Sequence, residues 1–317
     1  MTERYPPVLP AELAESFRVA GAGGTGIAVY AWREAPADAP ALLFGHANGF
    51  NAGCYAPFLA RLARHFRVFA FDARGHGASD KPAGEPVEVY AMDLTAQDLA
   101  AVASAVKDRL GPGAPLHYAS HSLGGIAAVL LEGRFGEAPF ASLTLFEPPI
   151  YPSETSPHYE TALASSPLFT RWSAKRREHF PDRDALRREA MAISTFASFA
   201  PEMMDAYVAA AAYETAEGDL ALYCPGAVES AFYANCPAAR VYEACAGMRT
   251  PAVVFSSDPA VVDAGHVWTP ASMREVAAAM ADGRYAVMPG CRHLMVQEQP
   301  AACAERVVAH VAECVTA

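Results

Sequence analysis

The chain has 317 residues, 52% of them apolar, and a formal net charge of −11. The length suits one large α/β domain or a domain carrying an insertion. The acidic balance argues against nucleic acid and anionic membrane as partners, and no apolar run approaches the ~20 residues that span a bilayer.

In chain order, residues 17–20 and 27–32 read as a hairpin around Gly21-Ala22-Gly23-Gly24-Thr25-Gly26. That loop matches G-x-G-x-x-G, but it opens a strand, whereas a dinucleotide site needs it to open a helix. A tight turn is therefore expected. The apolar run 41–45 reads as a buried strand that enters His46-Ala47-Asn48-Gly49-Phe50. Such a loop can turn a backbone N–H towards an oxyanion, with Asn48 the expected donor and Ala47 the alternative. His46 is expected to shape the loop and not to catalyse.

A helix over 54–65 and a strand over 68–72 lead to Asp72-Ala73-Arg74-Gly75-His76-Gly77-Ala78-Ser79-Asp80. This stretch reads as scaffold, with Asp72 and Arg74 expected to pair. A helix follows over 94–110. Next comes a strand over 116–120 and then Ser120-His121-Ser122-Leu123-Gly124-Gly125, with a helix-like run over 126–135. Strand, tight turn and helix with small residues two places either side of Ser122 are what a nucleophile elbow requires. The serine then stands at a helix N-terminus, where N–H groups and the positive dipole end favour a developing anion. Leu123, the residue after it, supplies the first oxyanion N–H. Ser120 stands where the first glycine of G-x-S-x-G is usual.

The strand 143–146 ends at Glu147-Pro148-Pro149. Residues 148–250 break the rhythm, with no clear strand, several prolines and many aromatics. They read as a mostly helical cap over the rim of the sheet, so the core domain is expected over 1–147 and 251–317. Phe50, Tyr151, Trp172 and Phe199 are the candidates for lining an apolar substrate pocket, while most other aromatics of the run are expected to form its own core. Strand 252–256 leads to Ser257-Asp258-Pro259 and Asp263. A helix over 272–281, a strand over 285–289 and a helix over 301–315 complete the chain. Between the last two lies Pro289-Gly290-Cys291-Arg292-His293. A histidine in the loop after the final strand can swing onto the serine, which makes His293 the candidate base. Glu147, Asp258 and Asp263 each stand at a strand end from which a carboxylate could orient it.

Taken together, H-A-N-G-F, D-A-R-G-H-G-A-S-D, S-H-S-L-G-G and P-G-C-R-H-L-M-V-Q-E-Q-P resemble segments of the α/β-hydrolase superfamily over nearly the whole chain. The resemblance implies an α/β-hydrolase fold: a mostly parallel eight-stranded sheet flanked by helices, with a helical cap inserted after strand six. Most members carry the acid after strand seven, where Asp258 stands. Some branches, including certain lactonases and dehalogenases, carry it after strand six, where Glu147 stands in a similar Glu-Pro-Pro context. Glu147 is thus the expected acid and Asp258 the alternative. A serine nucleophile sets dehalogenase chemistry aside. The expected activity is hydrolysis of an ester or lactone with an apolar part, through an acyl-enzyme and with no metal or organic cofactor. A triad-bearing small-molecule receptor and a C–C hydrolase or lyase are the alternatives. Met1-Thr2-Glu3-Arg4-Tyr5-Pro6-Pro7 lacks the features of a secretory leader. The seven cysteines show no C-x-x-C spacing. A cytoplasmic enzyme with reduced thiols is therefore expected.

Overall fold

The structure, a computed structural model, describes residues 14–32, 38–262 and 266–316. Its main sheet has eight strands. They are β1 (Ala14–Ala20), β2 (Gly26–Trp32), β3 (Ala41–Gly45), β4 (Arg67–Phe71), β5 (Leu116–His121) and β6 (Leu143–Phe146), then the two that close the chain's sheet, Ala252–Ser256 and Gly283–Val287. Helices α1 (Ala56–Leu62), α2 (Pro86–Val89), α3 (Met92–Leu110) and α4 (Leu123–Gly133) connect the early strands. Between β6 and the seventh strand of the sheet run α5 (Tyr159–Ala174), β7 (His179–Phe180), α6 (Arg183–Ala192), α7 (Ser194–Ala197), α8 (Pro201–Ala210), β8 (Ala212–Glu214), β9 (Leu220–Leu222), α9 (Gly226–Asn235) and α10 (Val241–Cys245). The chain ends with β10 (Ala252–Ser256), α11 (Thr269–Ala279), β11 (Gly283–Val287), α12 (Met295–Glu298) and α13 (Pro300–Thr316).

The strand order is β1-β2-β4-β3-β5-β6-β10-β11. β1 and β2 pair antiparallel, as do β2 and β4, and every later pair is parallel. Parallel strands need covered crossovers, and the helices between them supply that cover on both faces. The strand period of two divides the side chains. Leu42, Phe44, Val68 and Ala70 pack with Phe58, Leu59, Leu62, Val307 and Val311 of α1 and α13. Leu43, Phe69, Phe71 and Tyr118 pack with Leu99, Val102, Val106, Ile126 and Met273 on the other face. Burial on both faces explains why the parallel strands read as unbroken apolar runs.

The glycine-rich loop at 21–26 is a turn between antiparallel strands, with Gly23 and Gly24 at positive φ. No helix follows it, so the loop has no dinucleotide-binding geometry. The expected Asp72–Arg74 pair does not form. Arg74 turns to α3, where Nε and Nη2 meet the two carboxylate oxygens of Asp98 at 2.6 and 2.7 Å. Asp72 instead accepts from Tyr30 Oη, Ala52 N and Ala78 N at 2.7–2.9 Å. The reason is geometric: Asp72 is already saturated by donors from three segments, and a bidentate fork is the better match for a guanidinium. Residues 148–250 are mostly helical but include a three-stranded antiparallel sheet, β7-β9-β8. Its strands are too short to show a period in the sequence. Within the same run α10 lies against α4, where a Cβ on Gly133 would strike the Ala244 backbone. Among the described residues no helix is long and apolar enough to cross a membrane.

Candidate active site

Ser122 sits between β5 and α4 with φ 54° and ψ −112°. This sparsely populated conformation is held because the neighbours leave no other path. Ser122 N donates to Phe146 O at 2.9 Å, and Gly124 N donates to His46 O at 3.2 Å. Gly124 has to be glycine, since a Cβ there would stand 2.6 Å from Gly45 O. Ser120, which stands where glycine is usual, is fully buried, and its Oγ has no hydrogen-bond partner among the described residues.

Three sequence-distant side chains converge here. His293 Nε2 lies 3.2 Å from Ser122 Oγ, and His293 Nδ1 lies 2.8 Å from Glu147 Oε2. Glu147 is fully buried at the end of β6 and also adopts positive φ, 41°. Its other oxygen, Oε1, accepts from Ser257 N at 2.6 Å. Ser257 of the loop after β10 thus holds the carboxylate from β6. Asp258 is turned away: its oxygens accept from Ala260 N at 2.9 Å and Gly290 N at 2.8 Å, which braces the loop before His293. Asp263 lies outside the described residues.

Burial lowers His293 to about 4, so its imidazole is neutral at neutral pH and its Nε2 lone pair is available. Burial also raises Glu147, and the Ser257 hydrogen bonds oppose that shift. Two further histidines flank His293. His266 stacks on it at 4.7 Å between centroids and 11° between planes, with Phe169 against His266 at 4.9 Å. His121 lies 5.2 Å away on a tilted plane. Burial lowers both flanking histidines to about 3, with repulsion from His293 second. His293 therefore has neutral imidazoles beside it.

The loop after β3 is shaped by a set of hydrogen bonds. His46 Nε2 accepts from Ala73 N at 2.8 Å and its Nδ1 faces Ala47 O at 2.8 Å, so it shapes the loop. Ala47 N donates to Tyr55 Oη at 3.2 Å. Among the described residues, the N–H groups of Asn48 and Leu123 donate to no protein acceptor. Asn48 is held through its side chain, with Nδ2 donating to Glu229 O at 3.0 Å.

Phe50 and Phe199 share an aromatic cluster with Tyr55, Phe196 and Tyr207. Tyr151 packs edge-on against Trp268 and borders a cavity of about 490 Å³ between the start of the inserted run and α10. Trp172 is 61% exposed, with its edge on Phe169, and does not join the other candidates. Tyr55, His121, Ser257 and His266 escaped the sequence reading. Only His121 gave a signal, by adjoining Ser122.

A sequence profile of the alpha/beta hydrolase family matches residues 42–306, and the chain belongs to that family. Over 110 residues it is 30% identical to 3-oxoadipate enol-lactonase 1 of Acinetobacter baylyi, covering 35% of this chain and 37% of that protein. Over 101 residues it is 35% identical to a putative carbamate hydrolase of Pantoea ananatis, covering 31% and 33% respectively. These matches thus span about a third of the curated relatives' length. The crystal structure of E-2-(acetamidomethylene)succinate hydrolase superposes with a TM-score of 0.73 at 18% identity, covering 94% of this chain and 99% of that one, which is a likeness of fold.

Proposed function

We propose that the protein is a serine hydrolase that cleaves a carboxylic ester or lactone bearing an apolar part. The observation that carries this reading is the unbroken line Glu147–His293–Ser122, with contacts of 2.8 and 3.2 Å. Glu147 keeps the proton of His293 on Nδ1. Nε2 then takes the Ser122 proton as Oγ attacks the substrate carbonyl. The oxyanion is held by the N–H groups of Leu123 and Asn48, each of a kind typically worth ~2.7–4 kcal/mol in the transition state. His293 returns the proton to the leaving oxygen, and water attacks the acyl-enzyme with His293 again as base.

Residues 148–250 act as the cap in this reading. Support comes from Ala200 N, which donates to Gln297 O at 2.8 Å, from Ser198 Oγ, which donates to Glu298 Oε1 at 3.0 Å, and from Phe169 against His266. Phe50, Phe199 and Tyr151 are the lining candidates for the apolar part. The seven free thiols suit a reducing compartment, and we place the enzyme in the cytoplasm. The relatives named for a lactone and a carbamate share a carbonyl bound to a heteroatom leaving group, which fits the same line of residues.

The test is a fluorophosphonate label together with p-nitrophenyl esters of rising chain length. Wild-type protein is expected to label and to turn over repeatedly, and Ser122→Ala is expected to do neither while keeping its fold. Fast labelling with no repeated turnover on any ester would favour a receptor. Labelling together with turnover only of a carbon–carbon substrate would favour the C–C hydrolase. Unchanged turnover in Ser122→Ala would end the proposal.

A further inference from the structure

We infer that Tyr55 and His121 form a one-directional hydrogen-bond relay that locks the oxyanion loop and the His293 loop to the nucleophile elbow, making both positioning residues. The inference rests on the serine-hydrolase reading above. Both side chains are fully buried. His121 is the last residue of β5 and the chain neighbour of Ser122. Tyr55 closes the short 3₁₀ turn Ala52–Tyr55.

The polarity of the relay follows from its ends. His121 Nε2 lies 2.9 Å from His293 O, and a carbonyl can only accept, so Nε2 carries the proton. His121 Nδ1 is then an acceptor, and Tyr55 Oη, 2.7 Å away, must donate to it. Tyr55 Oη in turn accepts from Ala47 N at 3.2 Å. Every donor finds an acceptor in one arrangement only. The opposite tautomer would set the Nε2 lone pair against a carbonyl oxygen. Burial, which disfavours a charged His121, removes the doubly protonated alternative. Gln297, fully buried behind, lies against Tyr55 Oη but outside hydrogen-bond geometry.

Two consequences bear on catalysis. Ala47 N–H is spent on Tyr55, so the next N–H along, that of Asn48, is the one left for an oxyanion. The backbone carbonyl of His293 is gripped from behind, so its imidazole meets Ser122 and Glu147 at a fixed distance. A shift of about 1 Å at such a contact can cost roughly 100-fold in rate. One phenol and one imidazole thus tie residues 47, 122 and 293 into a unit.

The experiment compares Tyr55→Phe, His121→Leu, His121→Gln and the double variant Tyr55→Phe/His121→Leu with wild type on a p-nitrophenyl ester. The Gln Nε2 amide reaches the place of the histidine Nε2 and can still donate to His293 O. Expected are falls of about 10- to 100-fold in kcat for Tyr55→Phe and His121→Leu, with KM nearly unchanged and fluorophosphonate labelling slowed in parallel. The double variant should be no worse than the poorer single, and His121→Gln should regain most of the loss. Single-variant kcat within about twofold of wild type, or losses that multiply in the double, would overturn the relay. Nitrogen NMR of the unmodified protein provides a test independent of folding: His121 should be the Nε2–H tautomer, and the Nδ1–H tautomer would overturn the inference. Loss of the underlying reading is separately visible, because wild type would then turn over no ester, whether or not it labelled.

Discussion

Replacing Glu147 with Gln changes one atom and reverses a tautomer. Oε1 of Glu147 accepts from Ser257 N at 2.6 Å, so the amide oxygen of Gln takes that place. Its NH₂ then occupies the position of Oε2, 2.8 Å from His293 Nδ1. An N–H facing Nδ1 forces that nitrogen to accept, and the ring proton moves to Nε2, which faces Ser122 Oγ at 3.2 Å. The base loses its lone pair where it is needed. The flipped amide is no better, since it sets NH₂ against the Ser257 N–H. The corresponding change in a serine protease triad lowers kcat about 10⁴-fold, which is roughly 5.5 kcal/mol of transition-state stabilisation. The assay is kcat on a p-nitrophenyl ester, with thermal unfolding followed by circular dichroism as the control. Asp258→Asn serves as the comparison and is expected to stay close to wild type, because its oxygens brace a loop and touch no reacting group. Equal losses in the two variants, or wild-type kcat in Glu147→Gln, would refute the reasoning.

Four further outcomes are expected. Gly124→Ala brings a Cβ to 2.6 Å from Gly45 O, a backbone atom that cannot yield, and should cost about 1–3 kcal/mol of stability in urea titrations and slow labelling of Ser122. Arg74→Met leaves Asp98 buried without its guanidinium, both side chains being 2% exposed. It should cost about 3–5 kcal/mol, much of it recovered in Arg74→Met/Asp98→Leu. Burial lowers His293 to about 4, so the neutral base survives as pH falls through 6.5, and the acid limb of kcat/KM should lie nearer pH 4. Burial also lowers His46, His76 and His121, so below pH 6.5 the unfolded chain binds more protons than the folded one. Stability should then fall with falling pH, by up to about 1.4 kcal/mol per pH unit for each histidine. Urea midpoints at pH 7 and 5 check this and define the folded range for the rate profile.

The sheet was legible because strands such as Leu42–Phe44 and helices such as α3 bury continuous or periodic apolar faces, and those patterns survive in one dimension. Ser122 and His293 were legible for a related reason, since each sits at a strand end with distinctive turn residues. The choice between Glu147 and Asp258 was not, because both follow sheet strands. It turns on which backbone N–H holds which carboxylate, and Ser257 N, one residue from Asp258, holds Glu147. Arg74 was expected beside Asp72 because proximity in sequence was the only guide, whereas the matching fork came from Asp98 on α3. Strands β7, β8 and β9 are two or three residues long, too short for alternation to register. The roles of Tyr55 and His121 depend on hydrogen-bond direction across three loops, which no spacing encodes.

The dipeptide after Glu147 has a practical meaning for anyone exchanging substrate preference by transplanting the inserted run from a relative. A Cβ on Gly125 would stand 2.8 Å from the Pro148 ring, and Ser272 Oγ donates to Ile150 O at 2.5 Å, so residues 147–150 are clamped between the elbow helix and α11. The upstream splice therefore belongs after Ile150. A chimera joined at 147 or 148 would carry foreign backbone into the grip that orients the carboxylate, and would lose turnover before any new pocket had been tried.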